Sequence, residues 1–225
     1  MNKKNIIEAL KQVRKDSKKR NFNQTFDLII NLKDLNFKKP EDQVDLFLQL
    51  PHHIGRATKI CALVGPELKT DAEAACDFTI GTESFEKYTN KKDVKSLAAK
   101  YDFFVAQANI MGQIAKTFGR VLGPRGKMPN PKAGCVVPPK FNLKNLYEKL
   151  QNTSRVSAKT APLIQVSVGK EDMQDEDVAE NITTIYNSLI HSLPKEQNNI
   201  ASILLKTTMG KPVRVSQWVL HHNIK

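Results

Sequence analysis

The segment GRVLGPRGKM (119–128) ends in Gly126 and Lys127, the close of a phosphate-binding loop, so gripping a nucleotide's phosphates is the first chemistry its residue types suggest. Such a loop needs Gly at 121 and Ser or Thr at 128; the chain has Val121 and Met128. Without the first-turn glycine and the magnesium-binding hydroxyl, nucleotide triphosphate hydrolysis is disfavoured. What remains is a stiff cationic loop, LGPRGKMPNPKAG, in which three prolines fix φ and three glycines permit tight backbone. Arg125, Lys127 and Lys132 are expected on its surface. An ordinary structural loop fits this pattern as well as a phosphate contact does.

Other catalytic constellations are thin. His52 and His53 are adjacent and would face opposite sides of a strand, while His221 and His222 fall near the end of the sequence, where disorder is common. No HExxH, CxxC or GxSxG occurs. The acids of EDMQDED (171–177) suit the N-terminus of a following helix, where its dipole favours negative charge. Cys61, Cys76 and Cys135 are odd in number and widely spaced, which reads as reduced, small apolar residues rather than a disulfide framework or zinc ribbon.

Two short motifs suit RNA better. RNFNQT (20–25) sets Phe22 between the basic run 15–20 and a strand, although the ring also fits an ordinary core position. TTMGKP (207–212) lies between two expected strands. Its plain reading is a hairpin turn; its functional reading is a flat surface of Thr hydroxyls, Gly backbone and Met side chain against ribose and phosphate, with glycine permitting close approach.

The elements that must position these residues follow from periodicity. Ile6, Leu10 and Val13 stripe an amphipathic helix over 4–19. DLIINL (27–32) and VDLFLQL (44–50) read as strands, the second with Val44, Leu46, Leu48 and Leu50 inward. From about Ile60, ICALVG, DFTIG and DFFVAQ alternate with helices over 67–76, 91–100 and a stripe of Ile110, Ile114 and Phe118 ending at Gly119, which implies βαβ units and a parallel sheet. Leu143, Leu146, Tyr147 and Leu150 mark a further helix. Beyond Gln151, LIQVSV (163–168), a helix striped by Val178, Ile182, Ile185 and Leu189, and the strands SILLK (202–206) and VRVS (213–216) return to an α+β pattern. The middle third is therefore expected to be a domain inserted into a discontinuous outer one, with two strands crossing near Val64–Pro66 and Gln151–Val156. Residues 1–65 and 153–225 form the outer domain and 66–152 the inserted one.

The 225 residues are 40 % apolar with 35 Lys/Arg against 23 Asp/Glu, a net charge of +12 that makes a polyanion the leading partner. The excess is not uniform: 11 Lys/Arg oppose 4 Asp/Glu over 1–40 and 10 oppose 1 over 111–160, whereas 41–110 (8 against 11) and 161–225 (6 against 7) are slightly acidic. Two basic blocks suggest two contact surfaces, or one surface assembled from both. No apolar run approaches the ~20 residues of a membrane span, and the opening MNKKNIIEALKQVRKDSKK lacks a signal-peptide core, so a cytosolic, membrane-free protein is expected.

In order, RNFNQTFDLIINLKDL, LPHHIGRATKI, LGPRGKMPNPKAG and TTMGKPVRV closely resemble the L-one family of large-subunit ribosomal proteins, in its archaeal form, over nearly the whole chain. The resemblance implies an α/β protein of two domains: a discontinuous α+β two-layer outer domain and an inserted Rossmann-like α/β three-layer domain that binds no dinucleotide. It implies no enzyme activity and no cofactor. The outer domain would bind large-subunit rRNA at the mobile stalk beside the tRNA exit site, assist release of E-site tRNA, contact other components of the large subunit, and repress translation through the protein's own mRNA leader; the free protein would be a monomer. The family's RNA contacts map onto Phe22 and Thr25 and onto Thr208, Met209 and Gly210. The basic residue preceding the Phe in bacterial forms is replaced by Asn21, with Arg20 one step back. Ser202, Lys206 and Thr207 are weaker candidates, as are Ser157, Lys159 and Thr160, where the match is loose. The basic loop 120–132 would face tRNA or add secondary ribosomal contacts. Two readings compete: a phosphate-handling enzyme on the Rossmann-like middle, separable by ATP hydrolysis, and an RNA chaperone or nuclease-associated module outside the ribosome, separable by sedimentation with large subunits.

Overall fold

A computed structural model describes residues 2–215; Ser216, His221 and His222 lie outside them. Along the chain run helix α1 (Lys3–Asp16) and strands β1 (Thr25–Leu32) and β2 (Val44–Gln49), then β3 (Ile60–Val64), α2 (Lys69–Ala75), β4 (Phe78–Gly81), α3 (Lys91–Lys100), β5 (Phe103–Gln107), α4 (Met111–Leu122), β6 (Val136–Val137) and α5 (Leu143–Gln151). The chain closes with β7 (Thr153–Ala158), β8 (Leu163–Lys170), α6 (Asp175–Ser192), β9 (Ile200–Thr207) and β10 (Val213–Arg214). Contacts divide it into one unit of residues 1–56 and 152–225 and a second of 57–151.

The first unit is a two-layer α+β sandwich. An antiparallel sheet in the order β10-β9-β1-β8 buries alternate residues of β1, β8 and β9, Phe26, Leu28 and Ile30 of β1 among them. These meet Ile6, Leu10 and Val13 of α1 and Val178, Ile182, Ile185 and Leu189 of α6 in one core. Asp175, Glu176 and Asp177 occupy the first turn of α6, as the helix dipole favours. Because strand side chains alternate, the opposite face of this sheet carries Thr25, Asp27 and Asn31 of β1 beside Gln165 and Ser167 of β8 and Ser202 and Lys206 of β9. β2 pairs with β7 in a separate two-stranded sheet rather than with its sequence neighbour β1.

The second unit is a parallel sheet in the order β4-β3-β5-β6 with both faces covered. Cys61, Leu63, Phe104 and Ala106 pack against α3 and α4 on one side, while Ile60, Ala62, Val64 and Val105 pack against α2 and α5 on the other. Every residue of β3 is thus buried, which explains its unbroken apolar run.

Several expectations need correction. β3 is hydrogen-bonded between β4 and β5, so the first crossing lies at 56/57, not 65/66, and among the described residues no strand spans both units: β2 ends at Gln49 and β7 begins at Thr153. Helix α4 continues through Gly119 to Leu122 because Val121 and Leu122 still reach the core. The two-residue strand β6 had no legible signal.

Candidate nucleic-acid interface

The turn after β9 is built around a close approach. Gly210 donates its amide to the Thr207 carbonyl at 3.0 Å, and a Cβ at position 210 would lie 2.2 Å from Thr207 Oγ1. Only glycine lets the chain fold over that hydroxyl. Thr207 itself is fully buried on the helix side of the sheet, its Oγ1 3.2 Å from Ser17 Oγ at the C-cap of α1. Thr207 therefore supports the turn from beneath and offers its hydroxyl to no partner outside, contrary to its nomination as a direct contact.

Thr208 and Met209 point the other way. The Thr208 hydroxyl accepts the Thr25 amide at 3.0 Å and donates to the Thr25 carbonyl at 3.4 Å, which ties the turn to the start of β1 and leaves one oxygen lone pair outward. Met209 is 62 % exposed and Phe22 52 %, large apolar side chains held in water. Lys15, Lys18, Lys19 and Arg20 are exposed on the run that leads to Phe22, and Lys206 stands two residues before the turn on the open sheet face opposite Asp27. One corner thus combines exposed apolar side chains, an available hydroxyl, a tight glycine turn and a basic run. That is the composition of a surface that reads ribose and phosphate in a shallow groove.

Not every nominated residue is there. Ser202 lies opposite Asn31 and accepts its side-chain amide at 2.8 Å, six residues along β1 from Thr25, or about 20 Å at strand rise. The turn carrying Lys159 and Thr160 closes at that same far end, where the Leu32 amide donates to the Pro162 carbonyl. Lys159 Nζ sits 2.7 Å from Asp45 Oδ2, and Arg155 grips the same carboxylate at 2.9 Å. Burial tends to raise the Asp45 pKa, but the hydrogen bonds and positive charges of Arg155 and Lys159 together outweigh it and hold the carboxyl below its ordinary value. Ser157, opposite Asp45 on β7, belongs to the same two-stranded sheet.

Residues that sequence reasoning passed over hold the corner in place. Gln24, 1 % exposed, bonds the end of α1 and the turn together through its amide. Arg14, counted in the basic block, is structural: it spans Asp175 Oδ1 at 2.8 Å and the carbonyls of Glu171 and Met173, and stacks 4.9 Å from the centre of Phe26. The pair His53 and His52 separates, with His52 Nε2 2.8 Å from Glu180 Oε2. Hydrogen bonds from Lys3 and His52 hold the Glu180 carboxyl at about 2.

The GRVLGPRGKM segment forms the last turn of α4 and the loop after it, at the helix end where carbonyls rather than amides face outward, the wrong pole for phosphate. Lys127 is half-buried, its Nζ donating to the carbonyls of Ala98 and Tyr101 at 2.9 and 2.7 Å, so it caps α3 instead of standing on the surface as expected. Arg125 reaches the Lys95 carbonyl at 3.1 Å, and Lys132 is exposed. At the switch point of the parallel sheet, where a dinucleotide's phosphates would enter, the buried Gln107 fills the space: its Oε1 takes the Gly65 amide at 2.8 Å and its Nε2 reaches Glu67 at 3.3 Å. Burial pushes the Cys76 thiol up to about 11 and that of Cys135 to about 12, so neither is a ready nucleophile. Among the described residues no helix is long and apolar enough to cross a membrane.

Comparison with known proteins finds relatives over nearly the whole chain. The family model described as the ribosomal protein L1p/L10e family matches residues 12–211. Large ribosomal subunit protein uL1 of Nanoarchaeum equitans is 44 % identical over 93 % of this chain and 98 % of its own length. The uL1 proteins of Thermococcus kodakarensis (38 % identical, 94 % of this chain and 97 % of that protein) and Methanobrevibacter smithii (41 %, 93 % and 98 %) are similarly close.

Proposed function

The chain belongs to the ribosomal protein L1p/L10e family, and from that membership we propose that it is a non-enzymatic constituent of the large ribosomal subunit in the cytoplasm, bound to large-subunit rRNA through the corner built by residues 15–25 and 206–210. The observation that carries this reading is the juxtaposition of exposed Phe22 and Met209 with the Thr25–Thr208 tether and the basic run, all on the unit formed by both chain ends. Groups pressed against ribose set specificity, and the lysines and arginines supply the salt-dependent part of affinity.

Two finer roles go with it. The protein assists release of E-site tRNA from a position on the mobile stalk, and it represses its own synthesis when its mRNA leader displays a fold like the rRNA site. The second role needs no new surface, since one RNA shape occupies the same corner in either transcript. The inserted unit, with Arg120, Arg125, Lys132, Lys140 and Lys144 exposed, adds secondary ribosomal or tRNA contacts.

A gel-shift titration tests this, using the rRNA stalk fragment, the mRNA leader and a scrambled RNA of equal length at two salt concentrations. Both natural RNAs outcompete the scrambled one if the reading holds, and equal affinities for all three contradict it. A leader no better than scrambled RNA removes the repressor role alone.

A further inference from the structure

Gln24 is buried, yet its side-chain amide is a junction between three segments distant in the sequence. Nε2 donates to Ser17 Oγ at 3.0 Å and to the Lys18 carbonyl at 3.2 Å, and lies 3.5 Å from Glu171 Oε2 beyond β8. Oε1 accepts the Met209 amide at 3.3 Å, and the Gln24 carbonyl accepts the Glu171 amide at 2.9 Å. The donor half grips the start of the basic run; the acceptor half grips the turn.

We propose that Gln24 is a positioning residue for RNA, fixing the spacing between the basic run 15–20 and the Thr208–Gly210 turn. The proposal rests on the reading of this corner as the RNA interface. Phosphate contacts set register while groove contacts set specificity, so the two sets act together only when their spacing is held before RNA arrives. Lys18, Lys19 and Arg20 follow the end of α1 with exposed side chains; Gln24 joins their backbone to the turn by bonding Ser17, the Lys18 carbonyl and the Met209 amide, beside the direct contact of Ser17 Oγ with Thr207 Oγ1 at 3.2 Å. A buried amide makes no RNA contact of its own; it acts through Met209 and Lys18.

The test is Gln24→Leu, close in size and without polar atoms, measured against the rRNA stalk fragment and a scrambled RNA over a salt series, at a temperature where melting curves show it folded. The expected result is about a tenfold or greater loss of affinity for the stalk fragment, a salt slope shallower by about one or more, and little change for scrambled RNA, whose binding needs no fixed spacing. A residue that only fills the core lowers the melting temperature while the folded protein keeps its slope and selectivity, and that result overturns the proposal. If Gln24→Leu does not fold, Gln24→Glu keeps the acceptor for the Met209 amide while removing the donor to Ser17 and the Lys18 carbonyl, and is judged by the same criterion. Wild-type protein that fails to prefer the stalk fragment overturns the interface reading and this inference together; a selective wild type matched by the variant overturns the inference alone.

Discussion

The hydroxyl of Thr208 accepts the backbone amide of Thr25 at 3.0 Å, a bond between residues 183 positions apart that fastens the turn after β9 to the start of β1. Through it the two ends of the sequence become one surface. The same oxygen keeps a second lone pair, which the proposed interface would offer to a ribose hydroxyl.

Thr208→Ala removes the tether to Thr25 and, on the proposed reading, an RNA contact with it. Affinity for the rRNA stalk fragment is expected to fall by about 1–3 kcal/mol in a filter-binding assay, the scale of a polar group left without its partner. Thr208→Ser keeps the oxygen and should retain most of the affinity. Unchanged binding by the alanine variant would remove this residue from the interface.

Gly210→Ala places a methyl 2.2 Å from Thr207 Oγ1, so either that hydroxyl leaves its place beside Ser17 or the turn shifts, and RNA binding should drop. The clash is with the oxygen, since Thr207 Cβ lies 3.5 Å away. Adding Thr207→Ala should thus recover part of the loss, giving a favourable coupling of about 0.5–3 kcal/mol in a double-mutant cycle. Strictly additive effects would show that the glycine serves another purpose.

Much of the architecture was legible in the residues. The stripes Ile6, Leu10, Val13 and Val178, Ile182, Ile185, Leu189 mark α1 and α6 because each has one buried face, and β1 and β8 alternate for the same reason. β3 is apolar on both faces, so its pattern says strand without saying which sheet, and the domain boundary slipped by nine residues. Within the site, the alternation of Ile203 and Leu205 already places Thr207 inward, a signal available but unused. The distance of Ser202 and Lys159 from the corner depends on strand register, which local sequence does not carry. Gln24 gave no signal, because an amide among polar loop residues looks like surface until the segments it joins are brought together.

Lys18 follows the α1 cap, exposed, with its carbonyl held by Gln24. Lys18→Ala should weaken binding to the stalk fragment and scrambled RNA alike and lower the salt slope by about one, as expected for one lost phosphate contact. A loss confined to the stalk fragment would mean that this lysine reads bases or shape.

Asp45 yields a pH prediction for the first unit. Its folded pKa lies below the unfolded value of about 4, so its pairs with Arg155 and Lys159 stabilise the fold above that value and are lost as pH falls through the folded pKa. Asp45→Asn should therefore melt at a lower temperature than wild type near pH 7, with the gap closing under acid. A gap constant from pH 7 to pH 2 would show that charge on Asp45 is not what matters.

The central claim is that RNA covers the corner formed by Phe22, Thr25, Thr208 and Met209. Hydroxyl-radical footprinting of the protein, read by mass spectrometry, measures this directly, because Phe22 and Met209 are oxidisable and exposed in the free chain. With the rRNA stalk fragment bound, both side chains should be strongly protected while Phe78 and Phe141 of the second unit, also exposed, are oxidised as before. Equal oxidation of Phe22 and Met209 with and without bound RNA would contradict the account.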